Sequence, residues 1–313
     1  MLRIWRKWRG SRLLLLILAV VLIVGWGNIY VVKGAWGVAS WWFLMAFGAF
    51  GLLSAIIAVC ALIRTAYIRK RLAPIWSAVL ILSLVAAWPL FWLLGLWQIA
   101  YPADLSKMSP AVSVRLPLDE HVLVGWGGDT LKSNYPHVVV PSERWAYDLL
   151  VQPAGTGSQR LEDYGIYGAE VFAPASGTIV GASDKEEDHR PGTDEHDSMP
   201  GNHIYIRLDE TGTYLVLAHL MKGSIKVQVG DHVAEGDLLA KVGNSGSSSE
   251  PHLHIHHQRQ DPSSTSMFLS EGLPLYFRDI EGPSMPKGGM RLEHGKEVPA
   301  GDKIYNTLPW SKH

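Results

Sequence analysis

A chain of 313 residues with a formal net charge of −1 lacks the basic excess that drives binding to nucleic acid, and no nucleic-acid partner is expected. Its 48% hydrophobic residues and mean hydropathy of +0.09 are high for a soluble protein and fit a chain that is part membrane, part soluble. The single cysteine, Cys60, excludes an intrachain disulfide, and the sequence holds no phosphate-binding loop, dinucleotide fingerprint or cysteine-based zinc spacing.

Residues 1–102 are predicted to form a membrane region of three transmembrane helices, at about 13–32, 38–63 and 74–100. Each apolar stretch reaches the roughly 20 residues a helix needs to cross a bilayer. Trp26, Tyr30, Trp36, Trp97 and Tyr101 stand near the ends, as in interfacial aromatic belts. Leu13–Val24 follows a basic leader as a signal-peptide core would, but the bulky Trp26-Gly27-Asn28 offers no small-x-small cleavage pattern, so the stretch is read as a span. Arg3, Arg6, Lys7, Arg9 and Arg12 precede the first span and Arg64, Arg69, Lys70 and Arg71 follow the second, whereas the loop after the first holds only Lys33. The positive-inside rule then sets the amino terminus in the cytoplasm and everything after Tyr101 outside it. The expectation is a multi-pass protein of the inner (cytoplasmic) membrane, with the lipid bilayer as one partner and a periplasmic or extracytoplasmic domain over 103–313.

That second part reads as all-β. Runs rich in Val, Ile, Leu and Tyr recur at 121–125, 137–140, 145–151, 178–182, 203–208, 213–218, 238–242 and 252–257, punctuated by Gly, Pro, Asp and Ser. Residues 227–243 resemble the turn-rich hairpins of lipoyl and biotinyl carrier domains, whose barrel-sandwich folds look related. Carriers present a lysine at a hairpin tip, however, and Lys241 lies within a strand, so the carrier function is set aside. The charged stretch 184–200 reads as a solvated insertion; a lid that brings His189 or His196 over a cleft is the bolder alternative. The tail from Met285 shows no strong apolar period.

The chemistry concentrates at three strands. Gly243–Ser249 is a small-residue loop that runs into Glu250-Pro251-His252-Leu253-His254-Ile255-His256-His257. Alternation along a strand points His252, His254 and His256 one way and Leu253, Ile255 and His257 the other. Asp148 stands in the middle of an aromatic and aliphatic strand, where a carboxylate is costly unless paired or bound to a cation. His219 ends the apolar run Tyr214–Leu220. Alone, each is an ordinary polar residue of a strand. Together they offer the N/O donors and the nearby base that zinc catalysis requires.

With these residues in view, the chain resembles the M23 family of zinc metallopeptidases, the LytM or lysostaphin type. Asp148, YLVLAHL at 214–220, GDHVAEGDLLAKVGNSG at 230–246 and SSEPHLHIHHQ at 248–258 carry the resemblance, with GAEVFAPASGTIVGAS at 168–183 and GNHIYIRLD at 201–209 as further strands. It spans roughly 120–260. The resemblance implies a LytM-like all-β peptidase domain that cuts peptide bonds in bacterial peptidoglycan with Zn2+ as cofactor. Asp148 and His254 would be zinc ligands, and His252 and His219 the imidazoles that handle the water proton and the oxyanion. His256 would play a supporting or structural part and tolerate glutamine.

One position departs. The family places a histidine four residues before the aspartate, where this chain has Arg144, whose guanidinium has no lone pair to give. If 137–140 is a strand, 141–144 its turn and 145–151 the return, counting back sets His137 opposite Asp148 on one face. His137 is then the expected third ligand, with His203 the second candidate, and Arg144 is left to face solvent or an acidic group of the substrate. A lost site would instead leave a degenerate domain that binds cell wall or activates another hydrolase.

Overall fold

The computed structural model describes residues 2–68, 74–93, 100–193, 195–293 and 295–310. The chain divides into two units, Met1–Ile99 and Ala100–His313.

The first unit is helical. Helix Leu2–Gly27 runs into a π-helical turn, Asn28–Val32, and breaks at Lys33 and Gly34, which take φ of 60° and 58° before helix Gly34–Tyr67 begins. Gly10–Val32 and Gly34–Tyr67 are long and apolar enough to be candidate membrane spans. The third expected span differs. Helix Pro74–Ala87 has only 14 residues, a rise of about 21 Å against a bilayer core of about 30 Å. It stops before Trp88-Pro89, because proline disfavours helical backbone at the residue ahead of it and brings no N–H of its own. A short helix, Leu90–Leu93, follows, and residues 94–99 of that expected span, Trp97 among them, lie outside the described residues, as do Arg69, Lys70 and Arg71. The long second helix turns a stripe of small residues, Gly48, Gly51, Ser54, Ala55 and Ala58, into the packing. A side chain on Gly51 would meet the backbone of Ala86 and Ala87 at 2.7–2.8 Å, so glycine sets how closely these helices approach. Ile23 and Trp36 remain 72% and 71% exposed on the outer surface of these helices.

The second unit is β-rich and is built on one long sheet. In spatial order its strands are Ile280–Glu281, Lys303–Asn306, Val122–Trp126, Tyr147–Val151, Leu253–Gln258, Tyr214–Leu220, Asn202–Leu208, Gly177–Ser183 and His232–Val233. The neighbours among the described pairings of this sheet run antiparallel. Alternation does the sorting: Leu149, Ile204, Ile206, Leu215, Leu217, Leu253 and Ile255 point to the core and are wholly buried. Each such side chain contributes about 1.5–3 kcal/mol relative to exposure. Tyr147 joins them by donating its hydroxyl to the Leu275 carbonyl at 2.8 Å.

One predicted strand is not there. Residues 137–140 do not pair with 145–151; Leu131–Val138 is a kinked helix and Pro141–Glu143 a 3-10 turn. Thr130 starts the helix by capping the Ser133 N–H, and Pro141 supplies the fixed φ of a first helical position. The hairpin partner of Tyr147–Val151 is Val122–Trp126 instead, with Trp126 opposite Asp148.

His257 leaves the row of its neighbours, as alternation requires. Its Nδ1 donates to the Pro274 carbonyl at 3.1 Å, so Nε2 accepts from the Thr213 hydroxyl at 2.6 Å. Burial pushes this imidazole down to about 4; the Pro274 bond opposes the shift and Arg259 adds to it. A ring kept neutral in the fold but free to protonate when unfolded costs stability as pH falls from about 6.5 towards 4, at up to about 1.4 kcal/mol per pH unit. Urea unfolding across that range should therefore give a shallower pH slope for His257→Gln than for the parent chain, and equal slopes would exclude the assignment.

Candidate metal centre

The sheet register builds the centre. His254 pairs with Asp148 on one side and with Ala218 on the other, so three adjacent strands deliver neighbouring groups to one patch. Asp148 Oδ1 is the hub: His254 Nδ1 lies at 3.0 Å, and His137 Nε2 and His252 Nε2 each at 3.5 Å. His219 closes the circle, its ring centroid 4.6 Å from that of His252 and 5.8 Å from that of His254. All four imidazoles are buried.

His219 should point away, since it follows Ala218, the residue opposite His254. It takes φ of 62° instead, and this left-handed backbone turns its side chain into the cluster. A non-glycine residue there costs about 1–3 kcal/mol and persists where surrounding bonds enforce it. Here the His219 N–H donates to the Pro200 carbonyl and its own carbonyl accepts from Gly243 N–H.

His137 arrives by another route than the predicted hairpin. The kinked helix Leu131–Val138 carries it over the strand ends, and Asn134, wholly buried, fixes its ring. The Asn134 amide nitrogen donates to the carbonyls of Gly128 and Ala146, both at 3.1 Å, so its oxygen must accept from His137 Nδ1 at 2.8 Å. His219 Nδ1 donates to the Ser245 carbonyl and His252 Nδ1 to the Glu250 carbonyl, each at 2.8 Å. Three imidazoles thus spend their outer N–H on acceptors and keep the inner Nε2 as a lone pair.

Lone pairs facing a carboxylate oxygen repel unless a cation or a proton stands between them. Burial alone would raise the Asp148 carboxyl, but His137, His252 and His254 together hold it well below the usual carboxylate range. Burial brings His137 down to about 4 against the pull of Asp148, and drives His219 well down. His254 moves up, because its bond to Asp148 and the charges of Glu143 and Asp148 outweigh burial. The donor atoms of His137, Asp148 and His254 lie within 4.8 Å of one another, a geometry suited to one metal ion. Two imidazoles and a carboxylate, with no thiolate, are a catalytic zinc donor set.

Glu143, which the sequence suggests only as part of a turn, also reaches the cluster. An oxygen of its carboxyl, pushed up by burial, lies within 4.8 Å of nitrogens of His254 and His256. His203 lies elsewhere, with Nδ1 donating to the Gly201 carbonyl and its ring stacked on Tyr205. The cluster opens into a cleft of about 840 Å³ whose walls include Trp126, Val140, Met199, Tyr205, Met267 and Phe268. The insertion 184–200 supplies part of that wall through Gly192, Thr193, Met199 and Pro200. His189 is bound to the Gly246 carbonyl, so it secures the insertion to the loop beside the cleft.

Arg144 corrects a second expectation, because it faces neither solvent nor the cleft. It is 1% exposed, donates from Nε to the Pro102 carbonyl at 2.9 Å and from Nη2 to Asp129 at 2.7 Å, and lies over the Trp145 ring. Arg144→Ala is expected to lower unfolding stability by about 1.5–3 kcal/mol, the scale of hydrogen bonds to charged groups, and to leave the metal content of the folded chain unchanged. Lysine should restore little, lacking the fork that serves both acceptors. Chemical unfolding beside metal analysis checks this; loss of metal at unchanged stability would refute it.

Residues 162–265 match the family model described as Peptidase family M23, a stretch that includes His219, His252 and His254 and begins after Asp148. Among solved structures, the chain is similar to a zinc containing peptidase from Vibrio cholerae, at 20% identity over 47% of this chain and 37% of that one, TM-score 0.31. It is similar to the catalytic domain of the antimicrobial peptidase lysostaphin from Staphylococcus simulans, at 22% identity over 48% and 86%, TM-score 0.29. A third likeness is to Helicobacter pylori Csd3, at 16% identity over 48% and 30%, TM-score 0.29. The chain thus spans about a third of the first and third of these proteins. No curated protein matches it.

Proposed function

From a chain whose residues 162–265 match the model of peptidase family M23, we propose a membrane-anchored zinc metalloendopeptidase that hydrolyses peptide bonds of peptidoglycan outside the cytoplasmic membrane. The observation that carries the proposal is the Asp148 hub, one oxygen of a partly buried carboxylate ringed by three imidazole nitrogens at 3.0–3.5 Å. His137 through Nε2, Asp148 through Oδ1 and His254 through Nδ1 would hold the ion. Bound there, zinc supplies Lewis acidity towards water and the peptide carbonyl.

The remaining steps fall to the chain's own groups. His252, its Nδ1–H held by the Glu250 carbonyl, offers Nε2 as the base that takes the proton of the attacking water. His219, its Nδ1–H held by the Ser245 carbonyl, faces it across the cluster. The proton that His252 takes passes on to the leaving amine, and His219, once its Nε2 has taken a proton from solvent, steadies the oxyanion of the substrate. The apolar walls exclude water from the peptide, which strengthens each of these interactions. The reading as an inactive wall-binding domain rested on Arg144, and His137 beside Asp148 leaves it without a specific observation in its favour.

The division of roles has a direct test. His254→Ala and His137→Ala should lose bound zinc and activity on purified sacculi together, whereas His252→Ala and His219→Ala should keep most of the metal while activity falls about 100-fold or more. Metal analysis and muropeptide release measure both. If His252→Ala emptied the centre as fully as His254→Ala, ligand and base would be wrongly assigned.

Orientation is tested separately. A reporter active only outside the cytoplasm should work when fused after Tyr101 and fail when fused within 64–71. The reverse pattern would remove the cell-wall substrate from the proposal.

A further inference from the structure

His254 differs from the other three imidazoles of the centre. It meets Asp148 through Nδ1, and its outer nitrogen, Nε2, is served by another imidazole and not by a carbonyl or amide oxygen. His254 Nε2 lies 2.8 Å from His256 Nδ1, and His256 Nε2 lies 3.0 Å from Gln258 Oε1. All three residues sit on the strand Leu253–Gln258, two apart, so the pleat lines them up on one face. None is more than 6% exposed.

The direction of this row is decided at its far end. The Gln258 amide nitrogen lies 2.6 Å from the Gln260 carbonyl, which can only accept, so that nitrogen is the NH2 group and the opposite atom is the oxygen. An oxygen facing His256 Nε2 requires hydrogen there. A neutral His256 then has its lone pair on Nδ1 and accepts from His254 Nε2–H. The His254 lone pair is left on Nδ1, towards Asp148 and the proposed metal.

We propose that His256 and Gln258 are positioning residues that lock His254 with hydrogen on Nε2 and its metal-binding lone pair on Nδ1, the Gln260 carbonyl serving as the fixed end of the relay. The proposal rests on the zinc reading above and adds residues outside its ligand set. Ligands held by an oriented partner typically lose about 10- to 100-fold in metal affinity when that partner is removed.

Zinc affinity of the full chain in detergent, by competition with a chelating indicator, tests the relay without reference to catalysis. His256→Leu should weaken zinc binding by about 10- to 100-fold. Gln258→Leu should weaken it in the same direction, because His256 is then free to present hydrogen at Nδ1. His256→Leu/Gln258→Leu should bind as His256→Leu does, since two links in series are broken once. His256→Gln should recover most of the affinity: its amide can donate to Gln258 and accept from His254. Thermal unfolding of each metal-free variant separates relay loss from misfolding, which would weaken His256→Gln along with His256→Leu. Additive losses in the double variant, or parental affinity in His256→Leu, would overturn the relay. His254→Ala with parental zinc affinity would overturn the zinc reading and the relay together.

Discussion

The structure turns on one partly buried carboxylate. Asp148 sits in the middle of a sheet where a charge is costly, and it is tolerable because imidazoles converge on one of its oxygens. Those imidazoles are not interchangeable bases scattered over a surface. Each has its outer nitrogen bound by a carbonyl, an amide oxygen or, for His254, another imidazole, so the inner nitrogens have no freedom to turn away. Electron pairs directed at an anion are a strained arrangement for protein alone and a favourable one around a cation.

The rest of the fold serves that arrangement. The strands of Asp148, His254 and His219 are neighbours, and their opposite faces bury Leu149, Leu217, Leu253 and Ile255 in the main core. The Ser245 loop is pinned between the sheet and the 184–200 insertion. Asn202 N–H donates to Ser245 Oγ, Glu186 accepts from Gly246 N–H, and His189 holds the Gly246 carbonyl. A side chain on Gly246 would collide with the backbone of Gly201, so this contact needs glycine and with it the left-handed φ of 76°. The insertion thereby steadies the carbonyl that orients His219, besides walling the cleft.

Seven of the eight apolar runs read between turn residues are strands, because alternation on a half-buried sheet writes burial directly into spacing, whereas short strands such as Ile280–Glu281 carry no such run. The faces of His252, His254, His256 and His257 followed from the same rule. The stretch 137–140 misled for a physical reason: three valines carry a strand signal, while the capping Thr130 and the two prolines that decide the local backbone are weak marks in a sequence. His137 nonetheless stands beside Asp148, brought there by a helix and not by a hairpin. The third apolar stretch of the first unit likewise has the composition of a span, and Trp88-Pro89 interrupts its helix.

The sequence by itself determined the two-part division of character, the β-rich second unit, the pairing of histidines on one strand face and the likeness to M23 peptidases. The first three are properties of composition and local period, set by residues close together in the chain, and the likeness rests on separated motifs met in order from Asp148 to Gln258. Only the tertiary structure decided that Arg144 is buried against Pro102 and Asp129, that a left-handed backbone turns His219 inward, and that Asn134 and Gln258 fix the orientation of other rings. Those facts depend on where a hydrogen-bond partner lies, and on which of its atoms faces the ring. For Arg144 and Pro102, 42 residues apart, no local spacing encodes it.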